Sequence, residues 1–192
     1  DGKKTAGELA SEVKNNLQLD RKSKTSYECS EIVSNKLISD PLIKSFALPK
    51  DIHGIMFARS GAGQGYGMHL DNPYMVSGRS DLSFTLFLSN PDSYEGGELC
   101  IQTIQETRKF KLNSGEIIIY PSTQLHSVEK VRKGERVVCV GWIHSYIANN
   151  EDRNLLFGLD AGAKGLLARS GRSDELDLIF QAYSNLLRRL GD

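Results

Sequence analysis

A His-x-Asp triplet is the part of the sequence whose residue types and spacing most directly suggest chemistry. His69 and Asp71 are separated by a single residue. In an extended segment, residues i and i+2 point to the same side, so an imidazole and a carboxylate could meet at one point. On its own, such a triplet is more often a pair of surface side chains than a metal site.

A distant second histidine strengthens the case for a metal. His126 follows the turn Tyr120-Pro121-Ser122, just before a stretch with strand character. Two histidines and one carboxylate are the facial ligand set of non-haem Fe(II) oxygenases, and this set leaves octahedral positions open for substrate and oxygen. A structural zinc site is disfavoured because the set lacks a thiolate.

Arg136 adds a candidate anion site, ten residues beyond His126 on the next predicted strand. A guanidinium can donate two parallel hydrogen bonds to one carboxylate. The alternative is an ordinary surface ion pair with Glu135 or Glu116, and the sequence leaves both interpretations open.

The charge balance argues against a general electrostatic partner. The 192 residues contain 24 Lys plus Arg and 24 Asp plus Glu, so the formal net charge is zero. Nucleic-acid and membrane binders usually carry a basic surplus, and no apolar run approaches the roughly 18 residues of a membrane span. Neither kind of partner is expected. Three widely spaced cysteines predict free thiols in a reducing cytoplasm, rather than a disulfide framework.

The elements that must position these side chains form a β-rich centre between helical ends. From Ile52 to Ile147, seven or so short segments with strand character alternate with turns rich in Gly, Asn and Pro, which predicts an antiparallel sandwich or barrel such as a jelly roll. Over Asp81–Leu88 the alternation places Ser83, Thr85 and Phe87 on one face and leucines and Phe84 on the other. The fold class is therefore α+β.

Helices are predicted on both sides of this core. Ser26–Ile38 has an apolar stripe at helical spacing and is broken by Asp40-Pro41. A second amphipathic stripe spans residues 176–190, with Ser173 or Asp174 as its cap. We expect residues 1–147 to form the core with N-terminal helical support. Residues 148–192 should form a helical extension that covers the core or serves as a homodimer interface.

Other residues of chemical interest are given lesser roles. The glycine-rich segment 61–67 precedes His69 and is not followed by a helix that would offer amides to a phosphate, so it is predicted to be a mobile lid. His53 and His144 are expected to be satisfied or exposed rather than metal ligands.

The order of these motifs resembles a known family. The matching segments are Tyr66-x-x-His69-x-Asp71, Glu95-Gly96-Gly97-Glu98-Leu99, Tyr120-Pro121-Ser122-x-x-x-His126 and Arg136-x-x-x-x-x-Trp142. They look like those of the iron- and 2-oxoglutarate-dependent dioxygenases of the prolyl 4-hydroxylase type, and especially of the bacterial PKHD-type hydroxylases. The resemblance extends to Val13–Asn16, Asp81–Ser89 and the tail from Asp152 to Leu190. That family usually has more chain before the equivalent of Asp1, so an N-terminal truncation is expected.

The resemblance implies a role for each matching residue. The fold would be a double-stranded β-helix, or jelly roll, with flanking helices. His69, Asp71 and His126 would hold Fe(II), and Arg136 would bind the distal carboxylate of 2-oxoglutarate. The resemblance also places six residues around the cosubstrate: Tyr66, Ser83, Thr85, Phe87, Leu99 and Val128. For most of these, ordinary core packing is the alternative. Trp142 would pack beneath the site.

The implied activity is hydroxylation of an unactivated C–H, with 2-oxoglutarate decarboxylated to succinate and CO2. O2 would be consumed, and ascorbate could serve as a reductant. A prolyl residue of a peptide or protein is the favoured substrate. The alternatives are a free amino acid or small metabolite, and a jelly-roll module that binds without turnover. One departure is that many relatives carry a Tyr about ten residues before the first metal His, where this chain has Arg59-Ser60-Gly61. Arg59 is either a solvated charge or a contact for an acidic substrate group.

Overall fold

The computed structural model describes residue 2 and residues 13–192. Its strands are β1 (Lys14–Asn15), β2 (Leu17–Gln18), β3 (Pro49–Ser60), β4 (Gly65–His69), β5 (Tyr74–Met75), β6 (Gly78–Arg79), β7 (Leu82–Phe87), β8 (Tyr94–Gly96), β9 (Leu99–Gln102), β10 (Thr107–Phe110), β11 (Ile117–Pro121), β12 (His126–Val128), β13 (Val131–Gly134) and β14 (Arg136–Ser145). Its helices are α1 (Lys24–Ser39), α2 (Pro41–Ala47), α3 (Asn150–Ser170) and α4 (Asp174–Leu190).

Two five-stranded antiparallel sheets form the β core. The first sheet has the order β1-β4-β12-β9-β10, and the second has the order β11-β7-β14-β3-β2. Six of the eight neighbouring pairs in these two sheets join strands that are not consecutive in the chain, as the crossing connections of a jelly roll require. The predicted jelly-roll core with flanking helices is therefore confirmed, and the fold is α+β.

The second sheet is buried on both faces. One face packs against the helices through the cluster of Leu37, Ile43, Ala47, Ile52, Leu82, Phe84, Cys139 and Ile143. The other face packs into the jelly roll through Ala58, Phe87, Leu99, Ile101, Tyr120 and Val138. The alternation predicted for β7 is confirmed, because Leu82 and Phe84 belong to the first cluster and Phe87 to the second.

Helix boundaries follow the capping chemistry of the sequence. Asp40 ends α1 and also begins α2, because its side chain accepts hydrogen bonds from the amides of Leu42 and Ile43. The break predicted at Asp40-Pro41 is therefore present, although α2 itself was not predicted. Of the two candidate caps for α4, Ser173 is the one whose side chain accepts a backbone amide, that of Leu176.

The glycine-rich segment is the main correction to the predicted architecture. Gly65–His69 is not a loop but strand β4, which pairs with β1 on one side and β12 on the other. A Cβ at Gly65 would lie 2.8 Å from the carbonyl oxygen of Val128, so glycine here permits the close approach of two strands. The predicted mobile lid is therefore wrong for residues 65–67.

The first C-terminal helix packs against α2. Phe157 on α3 meets Phe46 on α2 edge to face, with ring centroids 5.6 Å apart, and the Ser45 hydroxyl donates to Asp160. α4 packs against α3. The division of the chain at residues 147 and 148 and the covering role of residues 148–192 stay predictions. No helix in the described part of the chain is long and apolar enough to cross a membrane.

Candidate metal and cosubstrate site

The two predicted histidine ligands meet because they face each other across two paired strands. His69 ends β4 and His126 begins β12, and the strand register places them directly opposite one another. Their ring centroids are 4.2 Å apart. Asp71 follows two residues after His69, while the intervening Leu70 is half exposed. One ligand atom from each of His69, Asp71 and His126 lies within 4.8 Å of the others.

Backbone carbonyls fix the tautomer of both imidazoles. The Nδ1 of His69 lies 2.8 Å from the Gly67 oxygen, and the Nδ1 of His126 lies 3.0 Å from the Gln124 oxygen. A carbonyl can only accept, so each Nδ1 carries the proton and each Nε2 keeps its lone pair. Burial, followed by the neighbouring His126, lowers the pKa of His69 to about 4. His69 is therefore neutral at physiological pH, as a metal ligand must be.

Two buried serines hold the carboxylate. The Ser83 hydroxyl donates to Oδ2 of Asp71 at 2.6 Å, and the Ser122 hydroxyl lies 2.8 Å from that of Ser83. The same Asp71 oxygen is 3.7 Å from the Nε2 of His126. Ser83 is thus tied to the carboxylate, and the contact with the cosubstrate that the resemblance implies for it stays a prediction. Such outer hydrogen bonds fix the orientation of metal ligands.

The Tyr66 ring supports the first histidine from the side. Its centroid lies 3.5 Å from that of His69 in a stacked arrangement, and the Lys14 ammonium lies 5.0 Å from the Tyr66 centroid. Burial raises the pKa of Tyr66 above its usual range, so its hydroxyl stays protonated. The Tyr66 ring thus packs against the ring of His69, and its predicted contact with the cosubstrate stays a prediction.

The donor set of this cluster fits Fe(II). Two imidazole nitrogens and one carboxylate converge, the Nδ1 atoms on the far sides of both rings already have hydrogen-bond partners, and the carboxylate accepts from Ser83. The set is the facial triad of non-haem iron sites, and it contains no thiolate that would favour zinc or an iron–sulfur cluster. Among the described residues, this is the one group of three or more such side chains close enough to share a metal ion.

Arg136 is buried rather than paired at the surface. Its exposed fraction is 4%, and Glu135 instead forms an ion pair with Arg59 at 2.9 Å. The surface-pair alternative for Arg136 is therefore excluded, and Arg59 is a largely solvated charge on the outer side of β3. Burial lowers the pKa of Arg136. Within the described residues its Nε has no hydrogen-bond partner. A buried guanidinium of this kind calls for an anion.

One glycine, Gly97, and three aromatic residues surround the guanidinium of Arg136. The Arg136 Cζ lies 5.5 Å from the ring centroid of Phe87. Gly97 has a φ of +70°, and a Cβ there would lie 3.0 Å from Cδ of Arg136. The Glu-Gly-Gly motif thus provides both the left-handed backbone and the room that Arg136 needs. Tyr94 and Tyr120 lie close enough to oppose the effect of burial on the pKa of Arg136.

One cavity connects the triad with Arg136. Five of the six residues that the resemblance places around the cosubstrate line it: Tyr66, Ser83, Thr85, Leu99 and Val128. Phe87 faces inward but does not line the cavity. The guanidinium of Arg136 lies over its ring. Trp142 lines the cavity and stacks near His53, with centroids 6.5 Å apart.

Several lining residues were missed by sequence reasoning. They include Lys14, Asn16, Gln18, Met75 and Tyr120. Tyr120 could have been found from alternation along β11, since Ile117 and Ile119 pack on the helical side and Tyr120 therefore points inward. Burial, followed by the Asp71 carboxylate, raises the pKa of Tyr120, while Arg136 and Thr85 act in the opposite direction. Its ring centroid lies 5.2 Å from that of His126, so Tyr120 lies between the two ends of the cavity.

The remaining histidines and the cysteines match their predicted roles. His53 is buried, its Nε2 is 3.0 Å from the Arg79 oxygen, and Ser77 donates to its Nδ1. It is thus a satisfied structural histidine, and neither it nor His144 belongs to the metal cluster. All three cysteines are free thiols.

Comparison with known proteins agrees with this geometry. The sequence model of the 2OG-Fe(II) oxygenase superfamily matches residues 55–144, the segment that holds the triad and Arg136. A Pseudomonas putida prolyl-4-hydroxylase shares the fold, with a TM-score of 0.50 and 20% identity over 68% of this chain and 71% of that one. The fold and the site together define a 2-oxoglutarate- and Fe(II)-dependent dioxygenase.

Full-length relatives define the family more narrowly. A PKHD-type hydroxylase of Prochlorococcus marinus strain NATL1A is 72% identical over 192 residues, which span 100% of this chain and 87% of that protein. Another from strain MIT 9313 is 71% identical over 191 residues, spanning 100% of this chain and 86% of that protein. The chain belongs to the PKHD-type hydroxylases. Membership of the oxygenase superfamily implies Fe(II), 2-oxoglutarate and O2.

Proposed function

We propose that this protein hydroxylates a prolyl residue of a peptide or protein and converts 2-oxoglutarate to succinate and CO2. The observation that carries the proposal is a single cavity with a facial triad at one end and a buried arginine at the other. Leu99 and Val128 lie along the wall of this cavity. This arrangement matches a molecule with a short methylene chain between a chelating keto acid and a distal carboxylate.

The residues divide the work of binding. His69, Asp71 and His126 would hold Fe(II), which supplies the one-electron chemistry for oxidising the cosubstrate and the C–H bond with O2. Arg136 donates its N–H groups to the distal carboxylate of 2-oxoglutarate. Tyr120 lines the cavity between the two ends and offers its hydroxyl to the bound cosubstrate. The apolar wall keeps water from the reacting atoms.

The prolyl substrate is supported by the surroundings of the triad. The motif order resembles the prolyl 4-hydroxylase type, and the relatives carry the name hydroxylase. Next to His69 and Asp71 in the chain, Leu70 lines the cavity and is half exposed. An apolar side chain at this position suits the ring of a proline within a chain. All three ligands and Arg136 are present and aligned, which argues against a module that binds without turnover.

The test is a reconstituted assay with Fe(II), 2-oxoglutarate and ascorbate on proline-containing peptides. We expect succinate release and peptide products heavier by one oxygen atom, with neither in His126→Ala. A parallel reaction without ascorbate measures its role as a reductant. Product from free proline or another metabolite, but from no peptide, would support the small-molecule alternative instead. Failure of the reconstituted protein to bind Fe(II) and 2-oxoglutarate would overturn the oxygenase assignment.

Other properties stay predictions beside this proposal. They are a cytoplasmic location, a homodimer formed through the C-terminal helices, and the lack of nucleic-acid or membrane partners. A sedimentation experiment on the purified chain measures the dimer directly.

A further inference from the structure

Tyr94 is a buried tyrosine to which the proposed function gives no role. It lies on β8, where it pairs with Gly134 of β13, two residues before Arg136. Gly134 has a φ of +75°, and a Cβ there would lie only 2.9 Å from the Cα of Tyr94. Glycine at this position therefore lets the two strands approach closely, and the strand pair brings Tyr94 towards Arg136.

The ring of Tyr94 packs beside the stem of the Arg136 side chain. A Cβ at Gly97 would lie 3.2 Å from Cε2 of Tyr94 and 3.0 Å from Cδ of Arg136, so the two side chains meet at this glycine. Tyr94 is 3% exposed and, unlike Arg136, does not line the cavity. Any effect of Tyr94 on the cosubstrate must therefore pass through Arg136.

The hydroxyl of Tyr94 is buried beside this guanidinium. Within the described residues, the hydroxyl of Tyr94 and the Nε of Arg136 are both buried polar atoms without a hydrogen-bond partner. Burial raises the pKa of Tyr94 and lowers that of Arg136, and each side chain counteracts this effect in the other. A buried polar group that stays unpaired costs free energy. Arg136 and Tyr94 are therefore each other's natural partners.

Lys111 holds the Tyr94 ring in place. Its ammonium lies 4.2 Å from the centroid of this ring and donates to the backbone oxygen of Tyr94 at 2.6 Å. A cation–π contact and a charged hydrogen bond to the same residue leave the ring little freedom. The hydroxyl of Tyr94 thus has a defined position with respect to Arg136.

We infer that Tyr94 is a positioning residue for the arginine that binds the cosubstrate. Its hydroxyl accepts one N–H of Arg136 when the distal carboxylate of 2-oxoglutarate is bound, and this bond aligns the other N–H groups with that carboxylate. A neutral acceptor suits this role, because an acidic side chain would cancel the charge that attracts the anion. The inference rests on the proposed function, since it adds a residue to the same cosubstrate site.

The test compares two ligands that differ only in the distal carboxylate. They are 2-oxoglutarate and 2-oxopentanoate, whose chain ends in a methyl group instead. Binding to protein loaded with Mn(II) is measured by calorimetry under nitrogen. The variants are Tyr94→Phe, Arg136→Gln and the two substitutions combined. Tyr146→Phe is the matched control, because Lys50 lies 5.9 Å from the centroid of the Tyr146 ring but Tyr146 lies outside the cavity.

In Tyr94→Phe we expect 2-oxoglutarate affinity to fall by about tenfold, since a hydrogen bond to a charged group typically contributes that much. The affinities for 2-oxopentanoate and Mn(II) should stay within about twofold of wild type, because neither ligand uses the guanidinium. When Arg136 is already glutamine, Tyr94→Phe should change 2-oxoglutarate affinity by less than about twofold, because the bond that it removes is already absent. Tyr146→Phe should bind both ligands as wild type does.

Three results would overturn the inference. The first is a 2-oxoglutarate affinity in Tyr94→Phe that equals that of wild type. The second is an equal loss of 2-oxoglutarate and 2-oxopentanoate, which would show that Tyr94 shapes the whole cavity instead of acting through Arg136. The third is a loss that persists in full when Arg136 is already replaced. Wild type is measured first, and if it did not prefer 2-oxoglutarate over 2-oxopentanoate, the proposed function would fail together with the inference.

Discussion

The two ends of the cavity are both buried and both charged, but they are built by different means. At the metal end, hydrogen bonds fix every ligand: two carbonyls hold the imidazoles, and Ser83 holds Asp71. At the other end, packing fixes Arg136, with the ring of Phe87 on one side and the missing side chain of Gly97 on another. One end is oriented by polar contacts and the other by shape.

This difference follows from what each end must bind. A metal needs lone pairs aimed at one point, so the far side of each ligand must be satisfied to fix its direction. A carboxylate needs donors that remain available, so the guanidinium is held mainly by apolar groups that do not compete for its N–H atoms. The two ends should therefore respond differently to substitution.

The largest effect is expected from Asp71→Ala. Loss of an outer hydrogen bond to a ligand already costs about 10–100-fold in metal affinity, and loss of the ligand itself should cost more. Mn(II) binding followed by calorimetry should fall below detection, and 2-oxoglutarate binding should weaken with it. Metal affinity close to that of wild type would contradict the assigned triad.

Arg136→Gln should separate the two ends. Without the guanidinium, 2-oxoglutarate affinity should fall by about 100-fold, as expected for one partner of a buried charge pair. Mn(II) affinity should remain within about threefold of wild type. Arg136→Lys should recover only part of the loss, because an ammonium cannot make the two parallel bonds. Equal losses of metal and cosubstrate would show that the ends are not independent.

Ser83→Ala probes the polar network at the metal end. The Asp71 carboxylate loses its 2.6 Å hydrogen bond, so we expect metal affinity to fall by about tenfold. Ser39→Ala, at the exposed end of α1, is the matched control and should leave metal affinity unchanged. An unaffected Ser83→Ala protein would mean that the carboxylate is positioned by the backbone alone.

Gly97→Ala tests the shape of the other end. A side chain at a φ of +70° costs about 1–2 kcal/mol, and its Cβ would press on Cδ of Arg136. We expect a lower melting temperature and a several-fold loss of 2-oxoglutarate affinity, with metal binding retained. Gly63 also has a positive φ, but no atom lies within 4 Å of where its Cβ would be. Gly63→Ala should therefore lower the melting temperature without changing 2-oxoglutarate affinity.

The smallest effect is expected for the thiol of Cys139, which lies outside the cavity. Cys139 is fully buried against the helices, and burial raises its pKa from 9 to about 12. The unfolded chain loses this proton at lower pH than the native one, so the stabilisation is present below pH 9 and is lost as the pH rises towards 12. At pH 8, iodoacetamide should modify Cys29 well before Cys139. Equal rates would contradict the burial of Cys139.

The sequence predicted the metal end better than the rest of the cavity, for physical reasons. His69 and Asp71 are close in sequence, and His126 is a rare residue type in a turn before a strand, so local spacing identified them. Lys14 and Tyr120 were missed because a lysine and a tyrosine carry no local signal of burial. Lys14 is positioned by the pairing of β1 with β4, and Tyr120 by the pairing of β11 with β7. Both pairings are tertiary features.

Two other differences arise from strand pairing. Glycines at 65 and 67 suggested a loop, but in the structure they allow neighbouring strands and side chains to approach closely. The resemblance placed Phe87 beside the cosubstrate, on the same face of its strand as Thr85. The inward face is correct, but Arg136 lies between the ring and the open cavity. Alternation indicates the face of a sheet, not which side chain reaches the cavity.

The most direct test of the account is a titration of 2-oxoglutarate into the metal-free protein and into the protein loaded with Mn(II) under nitrogen. If the two ends form one cosubstrate site, wild type should bind 2-oxoglutarate much more tightly with Mn(II) present. His126→Ala should lose this enhancement, and Arg136→Gln should bind weakly despite holding the metal. An affinity that is independent of Mn(II) and unchanged in Arg136→Gln would contradict the account.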